Sequence, residues 1–262
     1  MNTWALLGCG WLLAAAVMAA LWAAVGRRNA GVVDVAWSFS TALLGVFFAA
    51  FADGWWIRRG LVAALAAIWG VRLGAYLFHR VFSEAEDGRY QALRRQWGDS
   101  ASRRLFAFFQ LQAFWAAMFA APMLIAARGA AASLGWWDLG GLAIWVAAIS
   151  GESLADRQLA AFRGVPGNRR LVCNVGLWRY SRHPNYFFEW LHWWAYVLIA
   201  ASAPWGWLAL AGPVVMYYFL TRVTGIPPTE ARAIETRGDA YRDYQRTTSA
   251  FFPWPPRRDS IR

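Results

Sequence analysis

The sequence predicts an all-α polytopic membrane protein with seven transmembrane helices, its N-terminus outside and its C-terminus in the cytoplasm. Three observations carry that expectation. Of 262 residues, 59% are hydrophobic and only 16% are charged, against a soluble norm of about 45–50% apolar and about 25% charged. The 19 tryptophans suit membrane–water boundaries, where one ring edge is apolar and the other hydrogen-bonds. Apolar runs near the roughly 20 residues that a bilayer-spanning helix needs recur along the whole chain.

Seven such runs follow in order, at 4–25, 31–52, 60–79, 105–127, 136–156, 185–201 and 203–224. The first lacks a positive segment ahead of it, and Arg27 and Arg28 come after it, so it reads as a retained helix and not a cleaved signal peptide. The sixth and seventh are separated only by Ser202–Pro204, a tight re-entry into the bilayer. No internal repeat is visible, which disfavours a transporter built from duplicated halves. The chain reads as one membrane domain, 1–262.

Loop arginines set the orientation. With the N-terminus outside, Arg27 and Arg28, the arginine-rich loop at 80–104, the loop at 157–182 and the tail after 225 all fall on the inner side. The outer connections hold only Arg58, Arg59 and Arg128. All 26 basic residues are arginines and the net charge is +11. Arginine binds phosphate and carboxylate through two parallel hydrogen bonds, so a phosphorylated ligand fits; an arginine-rich genome with ordinary topology signals accounts for it equally. Nucleic acid is excluded as a partner, because the basic residues lie in short loops between apolar runs. Cys9 and Cys173 have no metal-ligand or disulfide spacing, and no metal site is expected.

Charged side chains inside apolar runs are costly, so they mark candidate chemistry. Arg72 sits mid-run with Tyr76 four residues on and His79 and Arg80 beyond, on one helix face. Asp34 opens the second run and is a candidate partner for Arg72. The two form either a packing ion pair or a polar site open to the cytoplasm. Glu152 and Asp156 are four residues apart, and Arg163 returns to nearly the same face. They form either a solvated helix end or a place for ribose hydroxyls and a phosphate, since two such carboxylates repel without donors between them.

The most informative segment is Asn174–Trp194, NVGLWRYSRHPNYFFEWLHWW. Arg179, Arg182 and His183 precede Pro184, which is well placed in a helix's first turn. A helix N-terminus behind arginines is a ready anion site. Asn185, Glu189 and His192 then form a polar stripe on an otherwise aromatic helix.

The run GLWRYSRHPNYFFEW resembles the signature of the steroid 5-alpha-reductase and sterol-reductase superfamily, and in particular its bacterial steroid-reductase-like membrane proteins of unknown function. GESLADRQLAAFR, the tail from Glu230 through Gly238 to Pro253, DVAW around Asp34 and the EDGRY loop are similar to further family stretches. The resemblance implies a seven-helix enzyme of lipid metabolism in the bacterial inner membrane. Such an enzyme binds NADPH from the cytoplasmic side and reduces a carbon–carbon double bond conjugated to a carbonyl in a lipophilic substrate drawn from the surrounding membrane lipid. It also implies a substrate side in 1–104 and, in 105–262, a cofactor pocket lined by Asp156, Arg163, Arg179, Arg182, His183, Asn185, Tyr186 and Glu189 and closed by Tyr241 and Tyr244. Arg72, Arg80 and Glu152, singled out above as costly charges, are further candidates for holding the cofactor. Asp34 and Tyr76 would polarise the carbonyl, although Val33-Asp34 stands where the steroid reductases carry Gln-Glu.

The Arg-His-Pro sequence around Pro184 also resembles isoprenylcysteine and phospholipid methyltransferases, which implies S-adenosylmethionine in place of NADPH. Asn185 and the Asp156–Arg163 helix are more similar to the reductases. A non-enzymatic receptor or transporter would need polar residues along a path through the whole bilayer, and here they gather on one side.

Overall fold

The computed structural model describes residues 2–257 except 27, 84, 85, 87 and 169. Arg27, the Glu84 end of the charged loop and the last arginines of the tail lie outside the described residues. Helices account for all the regular structure among the described residues. They are α1 (Thr3–Leu21), α2 (Val32–Phe51), α3 (Trp56–Ser83), α4 (Gly88–Trp97), α5 (Ala101–Ala127), α6 (Trp136–Gly164), α7 (Pro184–Ile199), α8 (Ala211–Tyr218), α9 (Ile226–Arg237) and α10 (Asp239–Thr247).

Five stretches are long and apolar enough to cross a membrane: Thr3–Val25, Val32–Phe51, Trp56–Ser83, Tyr90–Ala127 and Gly206–Arg237. With large apolar side chains left exposed along them, such as Trp4, Leu12, Ile68 and Val71, they are compatible with an integral membrane protein. The runs expected at 136–156 and 185–201 are helices but are not among the five. α6 carries Asp138, Glu152 and Asp156. The 16 residues of α7 rise only about 24 Å, short of a hydrocarbon core of about 30 Å. The seventh run is not one regular helix. It joins a 3₁₀ segment (Gly206–Leu210), α8 and a π-helical turn (Phe219–Val223).

The chain divides into two compact units, Met1–Asp138 with Tyr196–Gly212, and Leu139–Ala195 with Pro213–Arg262. Residues 105–138 thus belong with the N-terminal helices. In the first unit α2 is the most buried of the five apolar stretches, packed against α1, α3 and α5. Asp34 lies in its first turn, where a carboxylate meets the positive end of the helix dipole. α2 and α3 approach so closely that a Cβ on Gly70 would collide with that of Ala42, a small-residue contact of the kind that holds helices together in lipid. Trp37 presents a ring edge to Trp69 and Phe119, with centroids 6.1 and 5.5 Å apart.

Arg58 is 1% exposed and uses all five of its N–H groups. Its Nε and Nη2 bind the two oxygens of Asp138 at 2.8 and 2.9 Å. Nη1 donates to Gly129 O and Ala131 O, and Nη2 also to Ser133 O, each at 2.9 Å. Gly135 N completes the carboxylate at 2.9 Å. Expected as one of a few outer-loop charges, this arginine instead ties α3 to the whole 129–138 connection.

In the second unit the tail bends at Gly238, whose φ of 56° lies where only glycine is unstrained. That residue ends α9 and starts α10.

Removing one partner of a buried, fully bonded ion pair strands the other. Arg58→Met therefore costs about 3–5 kcal/mol, read as a lower melting temperature in detergent. A variant that melts with wild type would show that the pair does not hold the connection.

Candidate functional site

The GLWRYSRHPNY segment is built on α6 and laced to the tail. Trp178, buried, donates its indole N–H to Ala155 O at 2.9 Å, and Gln158 Oε1 accepts from Leu177 N at 2.9 Å. Ser181 Oγ accepts from His183 N at 3.1 Å and donates to Phe251 O at 2.9 Å. This serine thus fixes the approach to Pro184, the first residue of α7, where its missing N–H costs nothing. Arg182 N donates to Ser249 O at 2.8 Å and Trp254 N to Tyr180 O at 2.9 Å. The Tyr244 hydroxyl donates to Trp178 O and, at 3.3 Å, to Ser181 O.

Glu230, on α9, gathers these side chains. Its Oε1 accepts from Arg182 Nε at 2.6 Å, from His183 Nε2 at 3.2 Å and, more weakly, from the Tyr241 hydroxyl at 3.4 Å. Its Oε2 accepts from Gln245 Nε2 at 2.7 Å. Arg182 Nη1 turns back to Gln245 O at 3.1 Å and to Thr248 O. One positive and one negative charge thus sit in a largely enclosed place with almost every donor and acceptor used, the condition under which a buried pair holds together.

Burial pushes the His183 imidazole below its ordinary pKa, only partly opposed by the hydrogen bond and charge of Glu230. The ring is therefore neutral at pH 7 and carries its proton on Nε2, facing the carboxylate. It stacks on Tyr186, with centroids 5.2 Å apart and planes 5° from parallel, and the Tyr186 hydroxyl lies 3.2 Å from Thr229 Oγ1. Burial raises the Tyr241 and Tyr244 phenols well above the usual tyrosine range, so both remain neutral donors.

Of the residues expected in a cofactor pocket, Arg182, His183 and Tyr241 thus converge on one carboxylate, with Tyr186 and Tyr244 packed around them. Asn185 lies in the first turn of α7, and its Oδ1 is buried with no hydrogen-bond partner among the described residues. Glu189, also buried, accepts from Trp193 Nε1 at 3.3 Å. Arg179 is exposed and lines a depression of about 330 Å³ with Asn174, Asp243, Tyr244 and Thr248. Glu152 is buried and Asp156 half-buried on α6, while Arg163 is exposed near its end. Neither Arg163 nor Arg179 belongs to the Glu230 cluster.

In the first unit, Asp34 Oδ1 accepts from the Tyr90 hydroxyl at 2.8 Å, and Tyr90 is only 3% exposed. Tyr76, the tyrosine expected beside Asp34, is 39% exposed, with the Arg72 guanidinium 6.0 Å from its ring centre. Arg80 is half-buried in the last turn of α3. Sequence reasoning thus left out Glu230, Gln245 and Tyr90. Tyr90 stood in the EDGRY run. Glu230 was the first acid after Pro227-Pro228, and a buried Arg182 requires one.

Two outcomes test this cluster. Glu230→Ala leaves Arg182 uncompensated and lowers stability by about 3–5 kcal/mol. Because the folded His183 pKa lies below the unfolded value of about 6.5, its contribution to stability is complete above that value. It is lost as pH falls through the window beneath, where the unfolded chain takes up the proton first. Melting temperature therefore drops from pH 7 toward pH 5, and His183→Gln flattens part of that drop. An unchanged pH slope in the variant would remove His183 from a buried, neutral role.

The comparisons with known proteins agree on kinship and are silent on chemistry. A fission-yeast protein (Schizosaccharomyces pombe), described as uncharacterized protein C594.04c, is 27% identical over 270 residues, covering 89% of this chain and 75% of its own length. No solved structure matches the chain significantly. The model of the family described as a protein of unknown function, DUF1295, matches residues 21–248. This chain belongs to that family.

Proposed function

We propose that this protein is a membrane-embedded reductase that uses NADPH to reduce a carbon–carbon double bond conjugated to a carbonyl in a lipophilic, steroid-like or isoprenoid-like substrate. One observation carries the reading. Asn185 holds a carbonyl oxygen buried and unbonded at the start of a helix, directly behind a network that fixes Arg182 and His183. A buried acceptor left unsatisfied costs about 1–3 kcal/mol, and a nucleotide amide or ribose hydroxyl would satisfy it.

In this reading NADPH supplies the hydride. Asn185 and Glu189 accept from the nucleotide, while Arg179 and Arg163, both exposed, meet its phosphates. Arg182, His183, Tyr241 and Gln245 touch Glu230 and keep the turn before α7 rigid, so that Asn185 is presented without further ordering cost. Asp34 holds and orients the Tyr90 hydroxyl, which turns its O–H to the substrate carbonyl as negative charge builds on the carbonyl oxygen. Tyr90 joins Tyr76 in this role because its hydroxyl is bonded to Asp34.

The reading includes seven spans, with α6 and α7 completing the five long apolar stretches, an outer N-terminus and a cytoplasmic C-terminus. The arginine distribution supports this orientation. The proposal also takes the membrane to be the bacterial inner membrane, with the substrate reaching the protein from the lipid.

Asn185→Ala should weaken NADPH binding by about 1–3 kcal/mol in a protein that otherwise melts normally, measured by titration of the detergent-purified chain. Asp34→Asn should bind NADPH as wild type does and lose turnover of a lipophilic enone, followed by NADPH oxidation. Undiminished affinity in the first variant, or retained turnover in the second, would refute these assignments. Wild-type protein stabilised by S-adenosylmethionine and indifferent to NADPH would replace the reductase with a methyltransferase.

A further inference from the structure

The tail after α10 builds a second feature that the reductase reading does not use. Residues 249–257 fold back along the end of α10 and are held by backbone bonds at three points: Ser249 O to Arg182 N (2.8 Å), Trp254 N to Tyr180 O (2.9 Å) and Arg257 N to Thr247 O (2.8 Å). Between this strap and the helix lies a depression of about 320 Å³, whose lining includes Arg182, Arg246, Arg257, Thr248, Ser249 and Trp254. Three arginines line it and no carboxylate does.

The end of a helix normally repels anions, because its last carbonyls point outward. Here three of those carbonyls, and that of Thr248 just beyond them, are occupied. Tyr244 O takes Thr248 N, Thr247 O takes Arg257 N, and Gln245 O and Thr248 O take Arg182. What remains facing the depression is guanidinium charge. Arg246 pairs with Asp243 at 2.8 Å, but both side chains are more than half exposed, and such a pair contributes little. Its guanidinium is therefore available to a stronger acceptor, and phosphate accepts from arginine through two bonds at once.

The surroundings indicate where the phosphate comes from. Trp254 is 71% exposed, and Phe252 beside it is also exposed. An aromatic pair next to arginines is the composition that settles at the lipid headgroup level.

We propose that this depression is a binding site for an organophosphate anion, and that its occupant is the headgroup phosphate of an anionic lipid, with Arg246 and Arg257 gripping the phosphate and Trp254 resting against the acyl–headgroup boundary. The depression shares Arg182 with the network behind Asn185, but Arg246 and Arg257, which would hold the phosphate, have no part in the reductase reading.

The test uses the full chain in detergent and an Arg246→Gln/Arg257→Gln double variant. Both side chains are exposed, so the variant should melt with wild type before any addition. Mixed micelles containing phosphatidylglycerol should raise the wild-type melting temperature, whereas phosphatidylcholine micelles should not. The double variant should lose the gain, with apparent affinity falling roughly tenfold or more. Inorganic phosphate alone forms the second arm. A gain from it that vanishes in the variant supports the phosphate site and assigns it to a soluble source. Phosphatidylglycerol stabilisation that persists in the variant overturns the proposal, as does the absence of any response to both probes. A response to NADPH lost in the double variant would likewise overturn it, by giving the depression to the dinucleotide.

Discussion

Arg182 and Glu230 stand 48 residues apart in sequence and meet across 2.6 Å in a largely buried ion pair. The rest of the second unit is arranged so that this pair can exist. Two charges withdrawn from water are tolerated only when their remaining donors and acceptors are filled. His183, Tyr241, Gln245 and two tail carbonyls fill them. The same bonds fix the turn before α7, hold α9 against α10, and draw the chain after Thr248 back along the Trp178–Ser181 segment. The Arg-His-Pro run is thus mainly a folding device. Its rigidity sets Asn185 at the start of α7.

The first unit solves a related problem by a different route. Its helices associate largely through close packing, as where Gly70 meets Ala42. Polar bonds carry more of the load at the 129–138 connection, which has no regular structure of its own until α6 begins. There Arg58 supplies five donors to carbonyls and to one carboxylate. A loop with so many backbone groups turned inward needs such a cation, or its carbonyls would be buried without partners.

Helix positions were legible in the sequence because apolar length and arginine placement are local properties. The runs at 4–25, 31–52, 60–79 and 105–127 correspond closely to α1, α2, α3 and α5. What was not legible is long-range. Arg58 reads as a loop charge because nothing nearby in sequence shows that Asp138 will meet it. Tyr90 and Glu230 lie in polar stretches where solvation is the ordinary fate, and only folding brings them to Asp34 and Arg182. The irregular run from Gly206 to Val223 shows the opposite limit. Hydropathy registers its length but not the 3₁₀ and π-helical turns within it, which depend on local backbone packing. Of the pocket residues expected by resemblance, those sharing a partner converge. Arg163 and Arg179, expected by the same resemblance, remain at the surface.

The central claim is that the segment behind the Arg182–Glu230 pair is prepared for a dinucleotide. Native mass spectrometry of the detergent-extracted chain, incubated with equal concentrations of NADPH and S-adenosylmethionine, tests it most directly. The account predicts a one-to-one adduct of dinucleotide mass that disappears in Asn185→Ala. An adduct of S-adenosylmethionine mass, or a bare chain under conditions where it remains folded, would contradict it.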